Sequence, residues 1–123
     1  MSGIQDIAGV ILWTDQWEEM VSFYRDSLGL SPHSLHRDFA AFELRPGMRL
    51  SIGRHSQVHG QARDPHRIMV NLAVGDIHRI HRELADKGVQ FIRPPEREAW
   101  GGWVATFRDP DGNILQLLQQ PPG

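Results

Sequence analysis

The sequence predicts an α+β fold made of two copies of one βαβββ module, and two observations support this. Near the start of each copy, an apolar stripe typical of a helix ends at a glycine, Gly29 or Gly88. Near the end of each copy, a glycine turn opens a short strand, at Gly47 or Gly112. The helices align at an offset of 60 residues and the turns at an offset of 65. This repeat predicts pseudo-twofold symmetry. It also predicts an open barrel of β-sheet whose strands line a cleft between the copies.

The first module is predicted at about residues 5–54. We expect a buried strand at residues 7–13, followed by a helix that begins after Asp15 and ends before Gly29. A hairpin of two strands, at residues 38–44 and 48–53, completes the module. Asp15, with Glu18 three residues later, resembles a capping box that begins the helix. Gly29 supplies the left-handed residue expected after the helix end. The loop that follows the helix is expected to contain His33 and His36.

The polar residues 55–66 predict a linker, and the second module is expected at about residues 67–120. Its first strand is predicted at residues 68–74, its helix at residues 77–87 and a short strand at residues 89–92. A hairpin of two strands is predicted at residues 103–108 and 113–119. Asp76 is the expected N-cap of the helix. Pro94 and Pro95 are expected to end the short strand.

Composition narrows the class of protein. A chain of 123 residues with 40% hydrophobic residues suits one globular domain, at residues 1–123. No apolar stretch is long enough to span a bilayer, and no secretory signal is visible, so we expect a cytoplasmic protein. The absence of cysteine excludes disulfides and thiolate metal sites. A net charge of -2 gives no reason to expect nucleic acid or a membrane as a partner.

Two motifs carry a resemblance to a known family. Residues 23–30 have the sequence FYRDSLGL and residues 107–113 the sequence FRDPDGN, with Trp100 and Gly101 ahead of the last hairpin. On these motifs and the repeat, the chain resembles the vicinal oxygen chelate superfamily, which includes glyoxalase I, extradiol dioxygenases, and fosfomycin- and bleomycin-resistance proteins. The resemblance covers nearly the whole chain and implies a homodimer, often with clefts shared between chains. It does not imply one reaction, because the fold supports many.

The resemblance also implies where a metal site would lie. Metal-dependent members place His, Gln or Glu side chains at four strand positions, which correspond here to Gly9, Ser51, Met69 and Gln116. Imidazole, carboxylate and thiolate groups are the donors that hold such ions, and none occurs at these positions or within two residues of them. We therefore expect no metal, no cofactor and no assigned catalytic residue.

The same strands predict a binding face for a small organic molecule. Strand alternation places aromatic and amide side chains in the cleft, where rings would stack on a planar ligand and amides would orient it. The predicted ligand-binding residues are Trp13, Ser51, Met69, Asn71, Trp100, Trp103 and Gln116. The leading hypothesis is a metal-free small-molecule binding protein of the drug-sequestration type.

Two alternatives remain at this point. The chain could be a metal-dependent lyase, isomerase or dioxygenase of the glyoxalase type with a relocated site, using His55 or His66. It could instead be an interaction module with a filled cleft. His78 and His81 share one helix face and are expected to point to solvent.

Overall fold

The computed structural model describes residues 3–122, and within that range the chain has eight strands and two α-helices. It divides into two compact units between Gly60 and Gln61. Each unit has a four-stranded mixed sheet and a helix in the order βαβββ. The predicted α+β fold of two similar modules is confirmed. Neither helix is both long and apolar enough to cross a membrane.

Unit 1 contains the first sheet. Its elements are β1 (Gly9–Thr14), α1 (Trp17–Ser22), β2 (Pro32–His36), β3 (Phe39–Arg45) and β4 (Met48–Arg54). The strand order is β1-β4-β3-β2, with β1 parallel to β4 and the other pairs antiparallel. Met20 and Tyr24 of the helical segment are fully buried, as are Phe42 and Ile52 of the sheet. Burial of these apolar side chains is the main force that fixes the helix to one side of the sheet.

The first helix begins differently from the prediction. Its N-cap is Gln16, without a side-chain cap bond, so the predicted capping box is wrong. Asp15 Oδ2 instead accepts a hydrogen bond from the Gly60 amide at 2.9 Å. The helix continues through a π-helical turn, Phe23–Ser27, and Gly29 follows with φ 76°, the left-handed conformation that the sequence predicted.

The second strand of unit 1 corrects the placement of two histidines. His33 and His36 lie in β2, not in a loop. The segment PHSLH lacks the apolar alternation that marks a strand, and its pairing with β3 is what holds it in the sheet. Local sequence alone could not reveal that pairing.

Unit 2 repeats the arrangement. Its elements are β5 (Val70–Ala73), α2 (Ile77–Asp86), β6 (Phe91–Arg97), β7 (Trp103–Arg108) and β8 (Ile114–Gln119). The strand order is β5-β8-β7-β6, and β5 is parallel to β8. Asp76 Oδ1 accepts a hydrogen bond from the Arg79 amide at 3.2 Å, which confirms the predicted N-cap. Ile77 and Leu84 bury the apolar side of α2.

The strand β6 extends further than predicted because it continues through Pro94 and Pro95. It is an edge strand, so an amide hydrogen missing on its outer side breaks no ladder bond. The pairing with β7 is irregular on both sides of Arg93, which accommodates the prolines.

The second family motif forms the turn between β7 and β8. Asp109 Oδ1 accepts hydrogen bonds from the amides of Asp111 and Asn113 at 2.9 and 3.0 Å, and its Oδ2 accepts from the Asn113 side chain at 2.9 Å. Gly112 has φ 80° in this turn. The motif therefore serves to begin β8 in the correct register.

Candidate functional site

Each sheet has one side that packs on the helix of its unit and one side that does not, which we call its open face. In unit 1, strand alternation and register place residues of β1, β4 and β3 on the open face in three rows. The rows are Trp13, Gly53 and Phe39; Ile11, Ser51 and Ala41; and Gly9, Arg49 and Glu43. The first row extends to His36 on β2, which pairs with Phe39.

Aromatic rings gather at the first row. The Trp13 ring centroid lies 6.1 Å from that of Phe39 and 5.3 Å from that of His55, the latter in an edge-to-face arrangement. Trp13 keeps 40% of its surface exposed, whereas Phe39 and His55 are half-buried. We call Trp13, Phe39 and His55 the aromatic corner.

Gly53 forms the floor of the aromatic corner. A Cβ at this position would lie 2.4 Å from the Trp13 ring and 2.9 Å from the Phe39 ring. Only glycine at this position therefore lets the Trp13 and Phe39 rings pack against the strand. The Trp13 ring therefore packs on the Gly53 backbone while 40% of the residue remains exposed.

The polar end of the open face carries a charged group. Arg49 Nε donates to Glu43 Oε2 at 3.2 Å, and Arg49 Nη2 lies 3.5 Å from His33 Nε2. Between this end and the aromatic corner, Ser51 is 6% exposed and Ala41 is buried. The predicted residue Ser51 thus lies between Ile11 and Ala41 in its row.

The family's metal positions do not fit an ion in this chain. A Cβ at Gly9 would lie 2.5 Å from the backbone oxygen of Arg49, so the strand pairing itself leaves no room for a donor there. Met69 lies one residue ahead of β5 and is 37% exposed, and its thioether is a poor ligand for hard ions. Among residues 3–122, no three His, Cys, Asp or Glu side chains lie close enough to hold a metal ion.

The open face of sheet 2 carries polar side chains in one row. Asn71, Gln116 and Thr106 are successive register partners across β5, β8 and β7. Gln116 Nε2 donates to Thr106 Oγ1 at 3.5 Å, a long and weak hydrogen bond. We call these three residues the amide row. The structure brings the predicted residues Asn71 and Gln116 together here.

Arg93 pairs with Thr106 beyond the amide row. Its guanidinium forms ion pairs with Glu96 and with Glu98, the latter at 2.6 Å. These hydrogen bonds, first that to Glu96 and then that to Glu98, raise the pKa of Arg93 above its ordinary value. The charge of Arg93 is therefore offset by its own neighbours.

Trp100 lies in a tight turn between β6 and β7. The Glu98 amide donates to the Gly102 oxygen at 2.8 Å, and the Gly101 amide donates to the Glu98 oxygen at 2.9 Å. A Cβ at Gly102 would lie 1.9 Å from the Trp100 ring, so the ring covers that glycine. Trp100 is still 51% exposed and offers a surface on which a ring could stack.

Trp103 lies on the helix side of sheet 2 rather than on its open face. It pairs with Gln119, whose Oε1 accepts a hydrogen bond from the Ile77 amide at the start of α2. The Trp103 ring lies 4.7 Å from the His78 ring, and the Phe91 ring lies 4.4 Å from the His81 ring. His78 is exposed, as expected, although its ring contacts Trp103, whereas His81 is half-buried against Phe91. We assign Trp103 to helix packing.

Sequence reasoning missed Phe39 and gave His55 only a role in a relocated metal site. The available signal was the turn at Gly47, because pairing across that hairpin sets Phe39 opposite Gly53. A glycine inside a strand often marks the close approach of another group. The placement of His55 had no such signal, since it depends on hydrogen bonds after the end of β4.

Comparisons with known proteins agree with this architecture. YraH of Bacillus subtilis is 29% identical over 121 aligned residues, which cover 88% of this chain and 93% of YraH. A bleomycin resistance protein of Klebsiella pneumoniae is 34% identical over 55 residues, or 39% of this chain and 44% of that protein. A glyoxalase/bleomycin resistance protein/dioxygenase from Nocardioides has a similar fold, with a TM-score of 0.76, 22% identity, and coverage of 100% of this chain and 88% of that one.

The family model of the Glyoxalase/Bleomycin resistance protein/Dioxygenase superfamily matches residues 5–117. This range includes both βαβββ modules. The chain belongs to that superfamily.

Proposed function

We propose that this protein binds a small planar organic molecule without the help of a metal ion, as a sequestration protein would. The observation that carries the proposal is the aromatic corner, where Trp13 is held over Gly53 and remains 40% exposed. Burial of a ligand ring against this indole would supply affinity through apolar area and ring contacts. A fixed ring also lowers the entropy lost on binding.

The amide row supports the same function. Asn71 is exposed and Gln116 is half-buried, so both can offer amide groups to a ligand. The amide of Gln116 makes only a 3.5 Å bond to Thr106, which a ligand group can replace at small cost. Polar groups of this kind can orient a ligand that binds on the open face of sheet 2.

The donor set of this chain supports metal-free binding over the metal-dependent alternative. Gly9 can carry no side chain without moving the Arg49 backbone, and Ser51 and Gln116 offer neutral oxygens. His55 and His66 join no group of three potential ligands within residues 3–122. We therefore assign no catalytic step to a metal.

We test the proposal by calorimetric titration with two planar probes, 2-naphthoate and 2-naphthylmethylammonium, in buffer with EDTA. We expect at least one probe to bind, and Trp13→Ala to weaken its affinity about tenfold because the ring surface is lost. Leu35→Ala is the matched control, since Leu35 is 50% exposed but pairs with Ala40 on the helix side of the sheet. Absence of binding by both probes, or equal affinity of Trp13→Ala and wild type, would contradict the proposal.

We also propose that the protein is a homodimer. Family membership favours this, and β1 and β5 are edge strands preceded by exposed apolar residues such as Ile7 and Ile68. Light scattering after gel filtration should give twice the chain mass of 14.0 kDa. A mass of one chain at micromolar concentration would contradict the homodimer.

A further inference from the structure

We propose that the ligand of the aromatic corner carries an anionic oxygen, and that Nε2–H of His55 donates a hydrogen bond to it. The ligand class is then a planar aromatic acid rather than any apolar ring. This inference rests on the proposed function and adds the group by which the site selects its ligand.

His55 is held firmly in a turn after β4. Its backbone amide donates to the Thr14 oxygen at 3.4 Å, and its backbone oxygen accepts from the Val58 amide at 3.1 Å. Its ring Nδ1 accepts from the Gln57 amide at 3.1 Å. These three bonds fix both the backbone and the ring of His55.

The bond to Gln57 also fixes the tautomer of His55. A nitrogen that accepts a hydrogen bond carries no proton, so in the neutral ring the proton lies on Nε2. Within residues 3–122, this Nε2–H has no hydrogen-bond partner. A donor on a half-buried ring gains free energy when a ligand supplies an acceptor.

The position of His55 lets one small molecule use both the ring surface and the donor. The centroids of the Trp13 and His55 rings are 5.3 Å apart and their planes are nearly perpendicular, at 75°. A ligand ring on the exposed indole would therefore lie beside the imidazole, and a substituent on that ring could meet Nε2–H. Hydrogen bonds to ionised acceptors are about twice as strong as neutral ones, which favours an anionic oxygen.

The charged side chains near His55 form ion pairs. The acidic side chains Glu18 and Asp38 both pair with Arg54, the residue next to His55 in sequence, at 3.1 and 2.9 Å. This guanidinium offsets part of the charge of the two carboxylates and lowers their repulsion of an anionic ligand. On the same open face, Arg49 is paired with Glu43 at 3.2 Å, so the preference for an anionic oxygen comes from the Nε2–H donor.

The experiment compares the two naphthalene probes on wild type, His55→Asn, His55→Gln and His59→Asn. The probes have the same rings, but only 2-naphthoate has an anionic oxygen. Asparagine can keep the acceptor for the Gln57 amide while it removes Nε2–H, whereas glutamine can place an amide donor near the position of Nε2. His59 is an exposed histidine of the same linker and serves as the control.

We expect wild type to prefer 2-naphthoate, and His55→Asn to lower the affinity for it about tenfold while the affinity for 2-naphthylmethylammonium stays constant. His55→Gln should restore part of the preference, and His59→Asn should behave as wild type. A purely structural role of His55 would weaken both probes equally and overturn the inference. If both probes bind wild type equally, the inference fails while the proposed function stands; if neither binds, the proposed function fails as well.

Discussion

The two sheets of this protein share their topology and their helix-facing side chains, but their open faces differ. At the repeat offsets, the helix-facing pairs are Leu12 and Leu72, Ala40 and Ala105, Phe42 and Phe107, and Ile52 and Leu117. The open-face pairs are Trp13 and Ala73, Phe39 and Val104, Ala41 and Thr106, Ser51 and Gln116, and Gly53 and Leu118. The repeat keeps the core that folds each module, whereas the faces that can meet a ligand have separate chemistry.

This difference gives the open face of each sheet its own chemistry. The open face of sheet 1 carries ring surface beside the imidazole of His55, and that of sheet 2 carries amides. Sheet 2 has no matching aromatic corner because Ala73 and Val104 occupy the positions of Trp13 and Phe39. Four sets of substitutions test this difference.

The largest effect on the free energy of unfolding is expected from Gly9→His. Its comparison is Met69→His, at the matching position of unit 2. The new Cβ at position 9 would meet the Arg49 backbone oxygen at 2.5 Å and push β1 away from β4. We expect a loss of about 3 kcal/mol in the free energy of unfolding, at the upper end for overpacking. Met69→His lies outside the strand and should change stability by less than about 0.5 kcal/mol. Equal urea-unfolding curves for the two variants would refute the close approach at Gly9.

The next comparison sets Trp103→Ala against Trp13→Ala. Trp103 packs on His78 of α2, so its truncation should lower the free energy of unfolding by about 2 kcal/mol, less than for a fully buried tryptophan. Trp13 is more exposed, and its truncation should cost less stability and mainly weaken ligand binding. Urea unfolding monitored by far-ultraviolet circular dichroism measures both values. The reverse order of stability losses would show that the two tryptophans have been assigned to the wrong sides.

A smaller effect is expected from Gln116→Leu in sheet 2, with Ser51→Ala in sheet 1 as its match. Loss of the 3.5 Å bond to Thr106 should change stability by less than about 1 kcal/mol. Ser51 is 6% exposed and Gln116 is half-buried, so Ser51→Ala should change the surface of its sheet less than Gln116→Leu does. Urea unfolding monitored by far-ultraviolet circular dichroism measures both variants. A loss above about 1 kcal/mol in Gln116→Leu would show that the Gln116 amide is held more firmly than its 3.5 Å bond indicates.

The smallest effect is expected from Arg54→Gln in unit 1. The hydrogen bond to Asp38, followed by that to Glu18, raises the pKa of Arg54 above its ordinary value. A raised pKa means that the ionised form stabilises the fold at every pH below that ordinary value and loses this effect only at higher pH. The variant should therefore show a slightly lower Tm at neutral pH and low salt, and the difference should vanish in 1 M NaCl, where the Debye length is about 3 Å. A difference that persists at 1 M salt would indicate a packing role.

The sequence predicted the fold well because the repeat is carried by strong local signals. The glycines at 29, 88 and 112 all have positive φ, and the apolar periodicity of both helices matches their buried sides. The local sequence signals failed to predict strands that are held in place by pairing with a neighbouring strand. The strand β2 has no apolar alternation, and β6 keeps two prolines because it lies at an edge.

The candidate site was predicted only in part, for a related reason. Strand alternation correctly grouped Asn71 with Gln116, since both depend only on phase within their strands. Trp103 was expected among the ligand-binding residues, whereas the register of β7 turns it toward α2. His55 depends on a turn fixed by bonds to Thr14, Gln57 and Val58, which no residue pattern encodes.

We propose that the aromatic corner of sheet 1 holds an organic ligand without a metal ion. Calorimetric titration of 2-naphthoate tests this in protein stripped with EDTA, and in the same protein with one equivalent of nickel or zinc after removal of the chelator. We expect the same Kd in both samples and weaker binding by Trp13→Ala in both. Binding that occurs only with the metal, or that is unchanged in Trp13→Ala, would refute the proposed function.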